Sequence, residues 1–357
     1  MLDDFTRFDE VELDARGAEP LTRKFARLAL RAWVAGEALR IKAPLRNDRN
    51  EEIDPEMQAM LKGLERFEER RGGLRDVGRA RADADRYIPL FDFPPTPMGL
   101  VKERVIRGPC RAWVYWPKEC VAPAPACVFF HGGGFVLGSP RSHDGVVRFL
   151  AARSRAVFVS VDYRLAPEHK LPCAHEDARI AFEWVYAKHK ELGIDPKRIA
   201  LVGDSAGANL ALSTAIHSPD GPKARAVVAI YPPTDFRRLF ASHERLGEGF
   251  FLTKRKLDWF LERIVDSSRA LEDPRLSVLL APRLAHLPYT HVVTAGFDPL
   301  RDEGEAFVER LRREGVPSSH REEKALIHGF FSMGGVVQEA AWAIERISTV
   351  IREVLHA

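Results

Sequence analysis

Nothing in this chain approaches the roughly 20 consecutive apolar residues of a transmembrane helix, so no stable membrane insertion is expected. Cysteine is scarce: Cys110, Cys120, Cys127 and Cys173 are the only four, and none stand in C-x-x-C spacing. That argues against a disulfide-stapled scaffold or a thiolate zinc site. Cys127 lies in an apolar run and reads as a buried free thiol, and the set reads as reduced in a cytoplasmic protein. Histidines and carboxylates show no metal-ligand spacing, so no metal is expected. There is little excess of one charge. A formal net charge of +3, without a dense Lys/Arg run interleaved with aromatics, excludes nucleic acid as an expected partner. The first residues, Met1-Leu2-Asp3-Asp4-Phe5-Thr6-Arg7, are acidic and lack an apolar core, so they are not expected to be a secretory signal. Internal repeats and low-complexity tracts are also missing.

What is present is globular. The 357 residues are 45% hydrophobic and 29% charged, enough for one large domain or two ordinary ones. Residues 1–20 carry seven Asp/Glu against two Arg, and residues 21–49 reverse the sign with eight Lys/Arg against two acids. In the second part Phe25, Leu28, Ala29, Ala32, Trp33, Gly36 and Leu39 recur at helical spacing. This stripe is expected to dock on a cap built from residues 1–95 rather than on an anionic membrane, with the acidic residues 1–20 neutralising its basic flank. A second amphipathic helix is expected from Asp54-Pro55 to Arg71, stopped by Gly72-Gly73. Phe93-Pro94-Pro95-Thr96-Pro97 marks the junction to the larger C-terminal part of the chain.

Beyond the junction, strand-like and helix-like segments alternate, which predicts an α/β fold with a mostly parallel sheet flanked by helices. Strands are expected at 112–116, 126–130, 156–161, 199–203, 226–231, 291–295 and 318–322. Helices are expected at 143–152, 174–190, 300–314 and 336–355. Residues 236–275 interrupt the alternation and are helical in pattern. They form a candidate lid in which Phe250, Phe251 and Trp259 are candidate walls of an acyl pocket.

One stretch concentrates chemistry. Gly203-Asp204-Ser205-Ala206-Gly207 stands between an apolar β-prone run and an apolar helical run. A serine on so tight a strand-to-helix turn is exposed at a helix N-terminus, where backbone N–H groups favour negative charge. A serine hydroxyl needs a base, and the base an orienting acid. Asp298 follows a strand candidate directly, and His328 lies in a loop before the last helix. Strand ends are where such groups gather in an open α/β sheet. Pro299 and the acidic Asp302-Glu303 also suit Asp298 to a helix N-cap. A tetrahedral oxyanion needs backbone donors from Ala206 and from a glycine-rich turn, supplied by His131-Gly132-Gly133-Gly134. That turn lacks the Gly-Lys-Ser/Thr ending of a phosphate loop.

These motifs, with Asp162-Tyr163-Arg164-Leu165-Ala166-Pro167-Glu168, Asp298-Pro299-Leu300-Arg301-Asp302-Glu303 and His328-Gly329-Phe330, resemble the hormone-sensitive lipase family of α/β-hydrolases, which includes the bacterial family IV esterases. The resemblance runs from about residue 100 to the C-terminus. It implies a catalytic core at 96–235 and 276–357, and a cap made of 1–95 with the insertion 236–275; residues 1–50 precede the usual family start. It further implies a Ser205–His328–Asp298 triad, an oxyanion hole of the Gly133, Gly134 and Ala206 N–H groups, and support of that loop by His131 and Gly132. Ala208 departs from the family's second glycine, a change of packing rather than chemistry. The expected activity is carboxylic ester hydrolysis on short to medium acyl esters, with a small-molecule substrate and no cofactor; a homodimer is left open. Amide or lactone hydrolysis on the same triad, lipase action on long-chain lipid, and a non-catalytic receptor of the same fold are the alternatives. Retention of all three triad residues argues against the receptor.

Overall fold

In the computed structural model, which describes residues 11–17, 19–74, 76–218 and 220–357, the alternating segments form one sheet with helices on both faces. The chain begins with a two-residue strand β1 (Val11–Glu12) and three helices, α1 (Leu21–Ala38), α2 (Pro55–Arg71) and α3 (Val77–Phe91). Strands β2 (Leu100–Arg107), β3 (Cys110–Trp116) and β4 (Ala124–Phe130) follow, then α4 (Asp144–Ser154), β5 (Val157–Asp162) and α5 (Cys173–Ala187). Next come β6 (Ile194–Asp204), α6 (Ala206–Ile216), β7 (Ala226–Ile230), and the insertion helices α7 (Ala241–Arg245) and α8 (Lys254–Ile264). The chain closes with β8 (Tyr289–Phe297), α9 (Arg301–Arg313), β9 (Ser318–Ile327) and α10 (Gln338–His356).

Strand order is β1-β2-β3-β5-β4-β6-β7-β8-β9. The pairs from β5 to β9 are parallel, and β1 to β3 add an antiparallel edge. Period-two alternation feeds two cores. Ala126, Val128 and Phe130 of β4 pack with α5 and α6, whereas Cys127 and Phe129 pack with α4 and α10. Every β4 residue is buried, as a strand covered on both faces should be. Register then fixes the site. Phe130 pairs with Gly203, Gly203 with Ala229, and Ile230 with Val293, so these strands end along one edge.

Three features depart from the sequence expectations. Helix α3 occupies part of the stretch leading to the proline-rich junction; Asp76 caps it by accepting the Arg79 N–H at 2.7 Å, and Pro89 sits in its last turn. Strand β2 has consecutive charges, Lys102, Glu103 and Arg104, that hide its period on the sheet edge. The α1 stripe docks only in part: Trp33 packs against the core, but Phe25 and Leu28 remain 65% and 55% exposed. The docked line lies a fraction of a turn away. Arg27 reaches Glu19 and the Pro89 carbonyl, Trp33 packs where a Cβ on Gly63 would come within 3.0 Å, and Val34 is fully buried. Of the acidic stretch 1–20, residues 1–10 and Ala18 lie outside the described residues; Glu19 does pair with Arg27, at 2.7 Å.

Arg81 fastens α3 to the sheet's loops. Its guanidinium donates to the carbonyls of Val136 (2.8 Å) and Ala166 (2.7 Å) and pairs with Glu168 at 2.7 Å. Arg81→Ala should therefore cost about 1–3 kcal/mol in chemical denaturation, discounted for partial exposure. Arg79→Ala, on the exposed side of the same helix, should stay within about 0.5 kcal/mol of wild type.

Candidate active site

β6 ends at Asp204 and α6 begins at Ala206, so Ser205 alone turns the chain from strand to helix. Its backbone lies at φ 52°, ψ −122°, which an L-residue adopts only when its surroundings impose it. The surroundings are backbone. A Cβ on Gly203 would collide with the Gly207 carbonyl, and one on Gly207 with the Phe130 carbonyl. The Ser205 N–H donates to the Ile230 carbonyl at 2.8 Å, which pins the turn to β7.

His328 follows the end of β9, and Asp298 the end of β8. His328 Nδ1 donates to Asp298 Oδ2 at 2.7 Å, and Ser205 Oγ donates to His328 Nε2 at 3.0 Å. The carboxylate accepts only, which sets the imidazole tautomer. Asp298 is fully buried, and its Oδ1 accepts the Leu300 N–H at 2.8 Å. Asp298 faces His328 but is not the N-cap of α9, which begins at Arg301 with Leu300 at that position; its bond to the Leu300 N–H closes the turn that precedes the helix. Its neighbours do other work: Asp302 accepts from Arg301 Nε (2.9 Å) and the Ser242 N–H (3.0 Å), and Glu303 holds His243 at 2.7 Å. Residues before the usual family start brace this turn. Asn47 donates to the Gly296 carbonyl at 2.9 Å, and Asp48 pairs with Arg301 at 2.8 Å.

The loop after β4 brings Gly132, Gly133 and Gly134, and the start of α6 brings Ala206, into the wall of the cleft that holds Ser205 and His328. Gly133 and Gly134 have φ of 119° and 60°; a Cβ on the first would strike the Leu137 carbonyl, and on the second the Phe260 ring. His131 lies fully buried behind the loop. Burial pushes its imidazole down to about 3, so it is neutral, and its Nδ1–H donates to the Gly132 carbonyl at 2.9 Å. The Tyr163 ring stacks on it at 4.3 Å, and the Tyr163 hydroxyl donates to the His131 carbonyl at 2.7 Å. Sequence reasoning did not single out Asp204, whose Oδ1 accepts the Gly132 N–H at 2.9 Å. Its place inside the Gly-Asp-Ser-Ala-Gly motif was the available signal.

The cleft encloses about 380 Å³ between α2, α3 and α8. Phe251 lines it, but Phe250 and Trp259 do not. Phe250 packs on Phe297 at 5.2 Å, and Trp259 lies under the Arg263 guanidinium at 4.0 Å. Helical phase explains the correction. Leu257, Phe260, Leu261 and Ile264 recur at i, i+3, i+4 and i+7 and face the cleft, which turns Trp259 away. Lys256 closes one side, bonded to Glu68 of α2 and to the Phe251 carbonyl at 2.6 Å. Among the described residues no group of three or more His, Cys, Asp or Glu is arranged to hold a metal ion.

Residues 127–332 match the family model of the α/β-hydrolase fold. The chain is an α/β-hydrolase. This hydrolase is 38% identical to the esterase LipI of Mycobacterium tuberculosis over 255 residues, 70% of its own length and 79% of LipI. It is 42% identical to the carboxylic ester hydrolase LipN of the same organism over 222 residues, 59% of each chain. The match therefore spans less than two thirds of LipN. Among solved structures, the ester-hydrolase EH1AB1 from the Lake Arreo metagenome, complexed with a bipyridine phosphonate derivative, superposes with a TM-score of 0.80. That similarity carries 34% identity and covers 85% of the hydrolase and 100% of EH1AB1. The relatives agree with the resemblance to the hormone-sensitive lipase family.

The turn makes a prediction independent of any activity. Gly207→Ala should cost more than about 3 kcal/mol or prevent folding, since backbone has no rotamer with which to yield. Ala208→Gly, one residue on, should cost only about 1 kcal/mol of helix propensity. Denaturant titration of the two variants compares them.

Proposed function

We propose that this α/β-hydrolase is a carboxylic ester hydrolase that works through an acyl-enzyme on Ser205. The observation that carries the reading is the continuous line from Asp298 through His328 to Ser205 Oγ, at 2.7 and 3.0 Å, opening beside the glycine loop. Ser205 Oγ attacks the ester carbonyl as His328 Nε2 takes its proton. Asp298 holds Nδ1 protonated and stabilises the imidazolium that forms. The oxygen of the tetrahedral intermediate lies against the N–H groups of Gly133, Gly134 and Ala206. His328 returns the proton to the leaving alkoxide, and water then repeats the sequence on the acyl group. The names of LipI and LipN as esterases support the same class of bond.

The acyl chain fits the apolar wall of Phe251, Leu257, Phe260, Leu261 and Ile264, which favours short to medium chains in a cleft of about 380 Å³. The helices α1–α3 with α7 and α8 act as the cap. No helix among the described residues is long and apolar enough to cross a membrane. The four cysteines are free, with burial pushing Cys110 up to about 12 and Cys120 to about 11, a state suited to a reducing cytoplasm.

Ser205→Ala should lower kcat on a chromogenic short-chain ester by several orders of magnitude with the fold intact, and a fluorophosphonate probe should label wild type at Ser205 alone. Labelling elsewhere or an active variant removes the assignment. Asp298→Asn should cost about 10⁴ in kcat by freeing the wrong tautomer, whereas Asp302→Asn, which faces Arg301 and Ser242, should change stability by about 1 kcal/mol or less and leave kcat near wild type. A chain-length panel tests the wall. Phe251→Ala should shift preference towards longer acyl groups by about 1–3 kcal/mol, and Trp259→Ala should act alike on all lengths.

A further inference from the structure

Beneath the glycine loop lies a buried pair that the triad does not use. His143, just before α4, is 3% exposed, and its Nε2 stands 3.5 Å from Asp204 Oδ1. Asp204 is 4% exposed; besides the Gly132 N–H it accepts the Tyr231 hydroxyl at 3.3 Å on its other oxygen. The loop lies directly on this carboxylate, for a Cβ on Gly132 would collide with it.

The contacts of His143 favour a charged ring. A serine hydroxyl has one proton to give, and Ser142 donates it to the Ser139 carbonyl at 2.9 Å. Ser142 Oγ also lies 2.9 Å from His143 Nδ1, so there it accepts and Nδ1 carries a hydrogen. Nε2 stands within ion-pair distance of the Asp204 carboxylate, at 3.5 Å, which favours a second hydrogen there. The electrostatics agree. Burial pushes Asp204 up, but the His143 charge and the bonds from His143 and Gly132 outweigh it and hold the carboxyl below its usual range. Burial pushes His143 down, but Asp204 and then Asp92 outweigh it and raise the imidazole above its ordinary value.

We propose that His143 is a positioning residue held as an imidazolium, which cancels the Asp204 charge so that Asp204 can fix the oxyanion loop without opposing the oxyanion. The proposal rests on the acyl-enzyme reading. Asp204 immediately precedes the nucleophile and bonds the first glycine of the loop, so an unbalanced carboxylate there repels negative charge forming at the Gly133 and Gly134 donors. The other titratable groups near His143 leave it this role. His131, its ring 5.6 Å away, is neutral; Asp92, pushed up to about 7 by burial, accepts the Val146 and Phe93 N–H groups; Asp144 is taken by Arg148. As pH rises through the raised His143 value, the imidazolium is lost and kcat should fall on the alkaline side.

Two experiments test this on the full chain. Nitrogen-15 NMR of the imidazole rings at pH 7 without substrate, with His143 assigned by His143→Gln and His143→Asn, should show both its nitrogens protonated; a neutral ring overturns the proposal whatever the protein hydrolyses. For turnover, removing one direct oxyanion donor costs about 10²–10³, so His143→Gln, one step removed, should lower kcat by about ten-fold with KM little changed. The alkaline decline should vanish in that variant. Adding Asp204→Asn, which keeps an acceptor for Gly132, should restore part of kcat because charge balance returns. A double variant slower than His143→Gln would mean that hydrogen-bond shape, not charge, matters, and would overturn the proposal.

Discussion

Ser205 stands between two glycines at which any Cβ would strike backbone, and this crowding governs the arrangement around it. Gly203 and Gly207 let β6 and α6 meet so closely that the intervening residue must take a left-handed conformation. Such a conformation costs about 1–3 kcal/mol and survives only where packing over-determines it. Here it does: β6 is paired on both sides, and α6 is buried along almost its whole length. The strain is thus held by the best-packed part of the molecule, and its consequence is a hydroxyl aimed out of the sheet edge.

The partners of that hydroxyl are placed by the sheet's parallel register. Strands β4, β8 and β9 end at the same edge as β6, so the glycine loop, Asp298 and His328 converge although they come from separate parts of the chain. Each is then fixed by neighbours of suitable charge. His131 is kept neutral by burial, and Asp298 accepts a backbone N–H as well as the His328 Nδ1–H. Apolar side chains of α2, α3 and α8 line the cleft beside Ser205 and keep the effective dielectric low, so fixed dipoles act strongly on charge placed there.

Much of this was legible in the sequence because short motifs sat at the ends of apolar runs. Ser205, the glycine loop, Asp298 and His328 each follow such a run directly. What was not legible depended on phase or on distance. Trp259 and Phe260 are adjacent aromatics, and only the orientation of α8 decides which one faces the cleft. The same is true of α1, where Phe25 and Leu28 stay exposed while Arg27 and Val34 join Trp33 on the docked face, Glu19 and Pro89 giving the arginine buried partners. Helix α3 was hidden by its Arg, Ala and Asp composition and by a proline in its last turn. The His143–Asp204 pair is invisible in one dimension, since strand and helix bring it together from different βα units.

Catalysis on this reading turns on a covalent acyl intermediate at Ser205. Rapid mixing with a slowly deacylated chromogenic ester, acid quench and peptide mass mapping tests it most directly. The expected result is a transient mass gain equal to the acyl group on the peptide carrying Ser205, formed with the burst of released alcohol and lost as turnover ends. Release of alcohol at full rate with no adduct, or with the adduct on another residue, would contradict it.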